Sequence, residues 1–108
     1  MTTYSNASYA VKNVSTSGST AISAIASGTV AVSSLILSNT SASPITVNAY
    51  ITRSSVNYYL VYQATVPTGG SLEAIQGNRV VMQTGDSLTV LASAATSCDA
   101  WVSALTAV

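Results

Sequence analysis

A chain of 108 residues is about one domain's worth, long enough to bury a core without disulfide or metal staples. Only 6% of its residues are charged, against about 25% in an average domain, and the three cations cancel the three acids. With no histidine and one cysteine, Cys98, it has no Ser-His-Asp triad, no internal disulfide and no thiolate metal cage.

The same numbers bound the partners. Lys12, Arg53 and Arg79 are too few to neutralise a run of phosphates, so nucleic acid is not an expected partner. No stretch is apolar for long enough to span a bilayer, and no membrane partner is expected. The opening "MTTYSNASYAVKN" lacks a basic segment followed by an apolar one, so no classical export signal is expected; the N-x-S/T matches at Asn6, Asn13 and Asn39 then carry little weight. Nearly half the residues are apolar, which argues for a folded core. Solubility must come from hydroxyls and amides. A neutral chain with weak colloidal repulsion suits packing against copies or partners.

Taken in chain order, the segment around "YAVKNV" reads as a first strand with Lys12 exposed. Residues 16–29, rich in Ser, Thr, Ala and Gly, read as two short strands with polar turns. "LILSNTSASPITVNAYITR", residues 35–53, is two strands joined by a turn from Asn39 to Pro44. In residues 45–52 the odd positions are apolar and the even ones mostly polar, the period of a strand with one buried face. A turn over Arg53–Asn57 leads to a strand over residues 58–66. Pro67-Thr68-Gly69-Gly70 and Gln76-Gly77-Asn78 are further turns, with Gly supplying positive φ and Pro kept outside the ladders. Thr84-Gly85-Asp86 precedes a strand over residues 87–94, whose Leu88, Val90, Ala92 and Ala94 share a face. Thr96–Asp99 then turns into a closing strand over residues 100–108. Short strands at this spacing, with no helical stripe, predict an all-β single domain: an antiparallel β-sandwich, jelly-roll or Ig-like.

Chemistry is scarce. Glu73, Asp86 and Asp99 are the only carboxylates, and Asp86 and Asp99 fall in turns, where bonding to backbone N–H groups is their ordinary role. A Ser–Lys pair through Lys12 finds no support in its exposed setting. No catalytic residue, metal site or cofactor is expected. What remains is apolar surface. Tyr58, Tyr59 and Tyr62 are the one aromatic concentration; strict alternation puts Tyr58 and Tyr62 on one face and Tyr59 on the other. Val80 and Val81 cannot both face one core. Leu91 lies opposite Leu88 and Val90, among residues that should be wet. Trp101 belongs to a core or an interface. Tyr58, Tyr59, Tyr62, Val81, Leu91 and Trp101 are therefore the candidate interface residues.

The ordered pieces "VAVSSLILSNTSASPITVNAYI", "NYYLVYQATV", "PTGGSL" and "RVVMQTGDSLTVLAS", with a closing alternating strand, resemble small virion structural proteins of tailed bacteriophages over about 80 residues. The resemblance implies a non-enzymatic β-sandwich in the particle: a capsid decoration or cement protein, with a neck or tail component as the alternative. It implies self-association, with a trimer favoured, and contact with the major capsid protein in a virion assembled in the host cytoplasm. Residues 29–108 form the matching body. Residues 1–28 match less well and read as a first strand with an arm toward a neighbour. From another class, the tyrosines and Trp101 suggest a module binding host-surface glycans by ring stacking.

Overall fold

The computed structural model describes residues 4–76 and 78–107. Gly77 of the expected Gln76–Asn78 turn, the first three residues of the expected arm region and Val108 of the closing strand lie outside the described residues. Among the described residues there are nine strands: β1 (Tyr4–Val11), β2 (Ser19–Ile22), β3 (Thr29–Asn39), β4 (Ile45–Arg53), β5 (Val56–Val66), β6 (Ser71–Glu73), β7 (Val80–Met82), β8 (Ser87–Ala92) and β9 (Cys98–Ala107).

All pairings are antiparallel, in two sheets. One has the order β1-β9-β3-β6, with β7 also on β3; the other is β2-β8-β4-β5. β6 pairs with Ile36–Ser38 and β7 with Val30–Val32, along the same side of β3. They are one strand interrupted by residues 74–79. Counted so, eight strands form two four-stranded sheets in the order of a jelly roll, the first of the two expected sandwich types.

Between the sheets lies a core of Val14, Val32, Leu35, Leu37, Val47, Val66, Met82, Leu88, Val90 and Val102, all essentially without solvent contact. The alternation of β4, β8 and β9 supplies four of these and adds neighbours on the same faces: Ile45, Val47 and Ala49; Leu88, Val90 and Ala92; Ala100, Val102 and Ala104. β3 changes phase in its middle. Val30 and Val32 face inward, then Leu35, Leu37 and Asn39 do, because the register against β9 shifts at Ser33. The Ser33 hydroxyl donates to the Ser103 carbonyl at 3.0 Å, which anchors the bulge.

Several expectations shift in detail. Residues 16–28 hold one strand, β2, before Thr29 opens β3; the rest is irregular, tied down where Ile25 N–H donates to the Asp86 carbonyl and Gly85 N–H to the Ile25 carbonyl. Ala94 is exposed and beyond the end of β8. The turn placed over Arg53–Asn57 is tighter: Ser54 and Ser55 alone connect β4 to β5, with φ of 52° and 64°. Two positive φ values define a type I′ hairpin turn, formed here without glycine or asparagine.

Candidate interaction surfaces

The carboxylates come first, since any chemistry would need them. Asp86 is buried, and its two oxygens accept from Arg53 Nε at 2.9 Å and Nη2 at 2.6 Å, with Gln83 N–H adding a third bond at 2.8 Å. The Arg53 hydrogen bonds, opposed by burial and helped by Gln83, hold its pKa below the ordinary carboxyl range. Glu73 occupies the gap between β6 and β7. It accepts from Ser34 Oγ at 2.6 Å, Leu35 N–H at 3.0 Å and Ile75 N–H at 2.9 Å. Burial alone would raise its pKa; these bonds together lower it. Asp99 accepts from Asn13 N–H at 3.0 Å and Lys12 Nζ at 2.9 Å, and its pKa is lowered by those two bonds in that order.

Each carboxylate thus substitutes for a strand partner where a ladder breaks: at the β7–β8 turn, at the β6–β7 gap and past the end of β1. They stand apart, and among the described residues no three His, Cys, Asp or Glu side chains gather. Cys98 is fully buried, and burial, followed by the Asp99 charge, pushes its thiol up to about 11. It has no thiolate character at neutral pH.

The apolar surface is organised by sheet face. On the outer face of the β1-β9-β3 sheet, Trp101 pairs across the ladder with Ile36, and Leu105 with Ala31, which in turn pairs with Val81. Trp101 is 51% exposed and Val81 53%; Ile36, Leu105 and Tyr4 are exposed as well. Between the two apolar rows run Ser8, Ser103 and Ser34. Of the flanking charges, Glu73 and the Lys12–Asp99 pair are already engaged, while the exposed Arg79 directly precedes β7. This face is sparsely charged, apolar in rows and hydroxyl-lined between them.

The tyrosines lie elsewhere, on β5 at the edge of the other sheet. All three are exposed, but alternation does not place them as the sequence suggested. β5 carries two extra residues against β4, one between Tyr59 and Val61 and one between Val61 and Ala64. The first reverses the phase, so Tyr59 and Tyr62 share the outer face; their rings meet edge to face, with centroids 5.0 Å apart at 87°. Tyr50 on β4 completes the row, 5.1 Å from Tyr59. Tyr58 is left on the opposite side, beside Ile51 and Arg53 in a shallow pocket. The second bulge puts Gln63 at φ 50°, and its N–H donates to Asn48 Oδ1.

The six candidate residues therefore lie in separate places. Val81 and Trp101 share one sheet face; Tyr59 and Tyr62 sit on the other; Tyr58 turns inward at the edge. Leu91 has the outward orientation expected opposite Leu88 and Val90, but is only half-exposed, beside Asn48. Ile36 and Leu105 were missed. "SLILS" held the signal for Ile36, since its three consecutive apolar residues cannot all face one core, and Leu105 is in strand phase with Trp101.

No family model matches the chain, and no curated protein does. Among solved structures, a chain described in the words "Bacillus endospore appendages form a novel family of disulfide-linked pili" is similar in fold. It aligns with a TM-score of 0.59 and 16% identity, over 98% of this chain and 89% of that one.

Proposed function

We propose that this chain is a non-enzymatic structural subunit of a larger protein assembly, held there by the outer face of the β1-β9-β3 sheet. The observation that carries this reading is that face itself. Five large apolar or aromatic side chains, Tyr4, Ile36, Val81, Trp101 and Leu105, stand exposed on it, with the exposed Arg79 at the margin beside β7. A monomer gains nothing by displaying them, whereas burial against a flat partner returns about 25 cal/mol per Å² of apolar area. Every carboxylate serves the fold, which fits a role without acid–base chemistry.

The resemblance to tailed-phage virion proteins supports a more specific placement: a decoration or cement protein on the capsid, as a trimer in contact with the major capsid protein, or else a neck or tail component. The structurally similar chain comes from appendages described as pili, which supports assembly from repeated jelly-roll copies. Its disulfide linkage does not transfer. The one cysteine here is sealed in the core, so assembly of this chain is noncovalent.

The test is particle composition. Phage particles from a host carrying this gene, purified by density gradient, should contain the chain in fixed proportion to the major capsid protein, and Trp101→Ser should leave it in the soluble fraction. Particles without the chain would overturn the virion placement. The glycan reading draws on Tyr50, Tyr59 and Tyr62, but their tilted and edge-to-face packing offers no coplanar platform. Glycan-array binding lost in Tyr62→Ala would restore it.

A further inference from the structure

Four strand edges end the two sheets, and three of them are guarded. β2 is four residues long with a register shift. β5 is long, but two bulges and the positive φ at Gln63 distort it. β6 and β7 are three residues each, broken by residues 74–79. Short length, bulges and interruptions are the ordinary protections of an edge, along with charge and proline. β1 has none of these. Its eight residues, "YSNASYAV", contain no charge and no proline, and its register against β9 runs from Tyr4 to Val11 without a shift. Among the described residues only β9 pairs with it.

We propose that β1 is a self-pairing edge, through which two copies of the chain join their sheets into one continuous antiparallel sheet. The inference rests on the assembly reading above and names the strand that carries one of its contacts. The occupant is a second copy because the edge complements itself. A two-fold axis that joins antiparallel edges stands normal to the sheet, so residues facing each other come from the same face. The register must then centre on one residue, and seven of the eight residues of β1 find partners. Centred on Ser8, the small Ala7 lies opposite Tyr9, Ser5 opposite Val11 and Asn6 opposite Ala10. Centred on Ala7, Asn6 lies opposite Ser8, Tyr9 opposite Ser5 and Tyr4 opposite Ala10. In both registers each bulky side chain meets a small one, and no like charges meet.

Asn6 and Ser8 are exposed on the outer face, so lysine at both positions leaves the core untouched. It places lysines opposite each other in either register. Sedimentation equilibrium should give the unmodified chain twice the mass of the Asn6→Lys/Ser8→Lys variant, with circular dichroism unchanged. Equal masses would overturn the proposal. Should the variant disturb the fold, amide exchange in the unmodified chain decides: exchange across residues 4–11 slows with rising protein concentration if β1 pairs, and concentration-independent exchange overturns pairing. Trp101→Ser separates this contact from the face contact. It keeps the doubled mass while losing the particle, so either claim fails without the other.

Discussion

At the scale of residues, Asp86 holds together what the chain leaves loose. Its carboxylate joins Arg53 at the end of β4 to the turn before β8, and its backbone carbonyl receives Ile25 from the irregular segment. Asp86→Ala strands the Gln83 N–H and the guanidinium together, and is expected to lower stability by about 1–3 kcal/mol, measured by urea unfolding. The pH dependence follows from three carboxyls held below their ordinary pKa values. A group whose folded pKa is depressed adds stability above its unfolded pKa and loses it as pH falls through the folded one. Without histidine, no side chain of ordinary pKa changes charge between about pH 5 and 8. The melting temperature should be flat there and drop below about pH 4, with a smaller drop in Asp86→Asn. Cys98 makes a complementary statement: buried, with its pKa raised to about 11, it should react with a thiol reagent only at the rate of unfolding.

At the scale of elements, what was legible and what was not divides cleanly by mechanism. β4 and β8 announce themselves by their alternation against a single core, while β9 alternates in the structure more cleanly than its sequence suggests. β3 and β5 contain bulges, and a bulge leaves no residue type as its mark. Ser33, Leu60 and Gln63 shift the phase of everything beyond them, which is why strict alternation pairs Tyr62 with Tyr58 while the structure pairs it with Tyr59. Glu73 could not be placed from sequence either, because its partners Ser34 and Leu35 lie 39 and 38 residues away. The β4–β5 hairpin was drawn too wide for a related reason: Ser54-Ser55 lacks the Asn-Gly signature of its turn type. Both serines sit at positive φ, a conformation that costs an L-residue about 1–2 kcal/mol. Ser54→Asn/Ser55→Gly should therefore raise stability by about 1 kcal/mol, read as a higher denaturation midpoint with an unchanged slope.

At the scale of the whole molecule, the sandwich separates two tasks. The inner faces hold the fold. Leu35, fully buried beside the β3 bulge, should cost about 2–5 kcal/mol when replaced by alanine, and the change should appear in thermal unfolding of the isolated chain. The outer face of the β1-β9-β3 sheet contributes little to that stability. Trp101→Ser should cost the isolated chain no more than about 1 kcal/mol while abolishing its incorporation into the particle, and that divergence is what separates an interface residue from a core one. Because the chain has a single tryptophan, and because it stands on the proposed face, its fluorescence reports the state of that face alone. The most direct measurement is acrylamide quenching of Trp101 in the free subunit and in the assembled particle. If the face is an assembly surface, quenching is strong in the free chain and falls severalfold on assembly. Equal quenching in both states would mean that this face stays open to water, and the account of the molecule as a subunit held by it would be wrong.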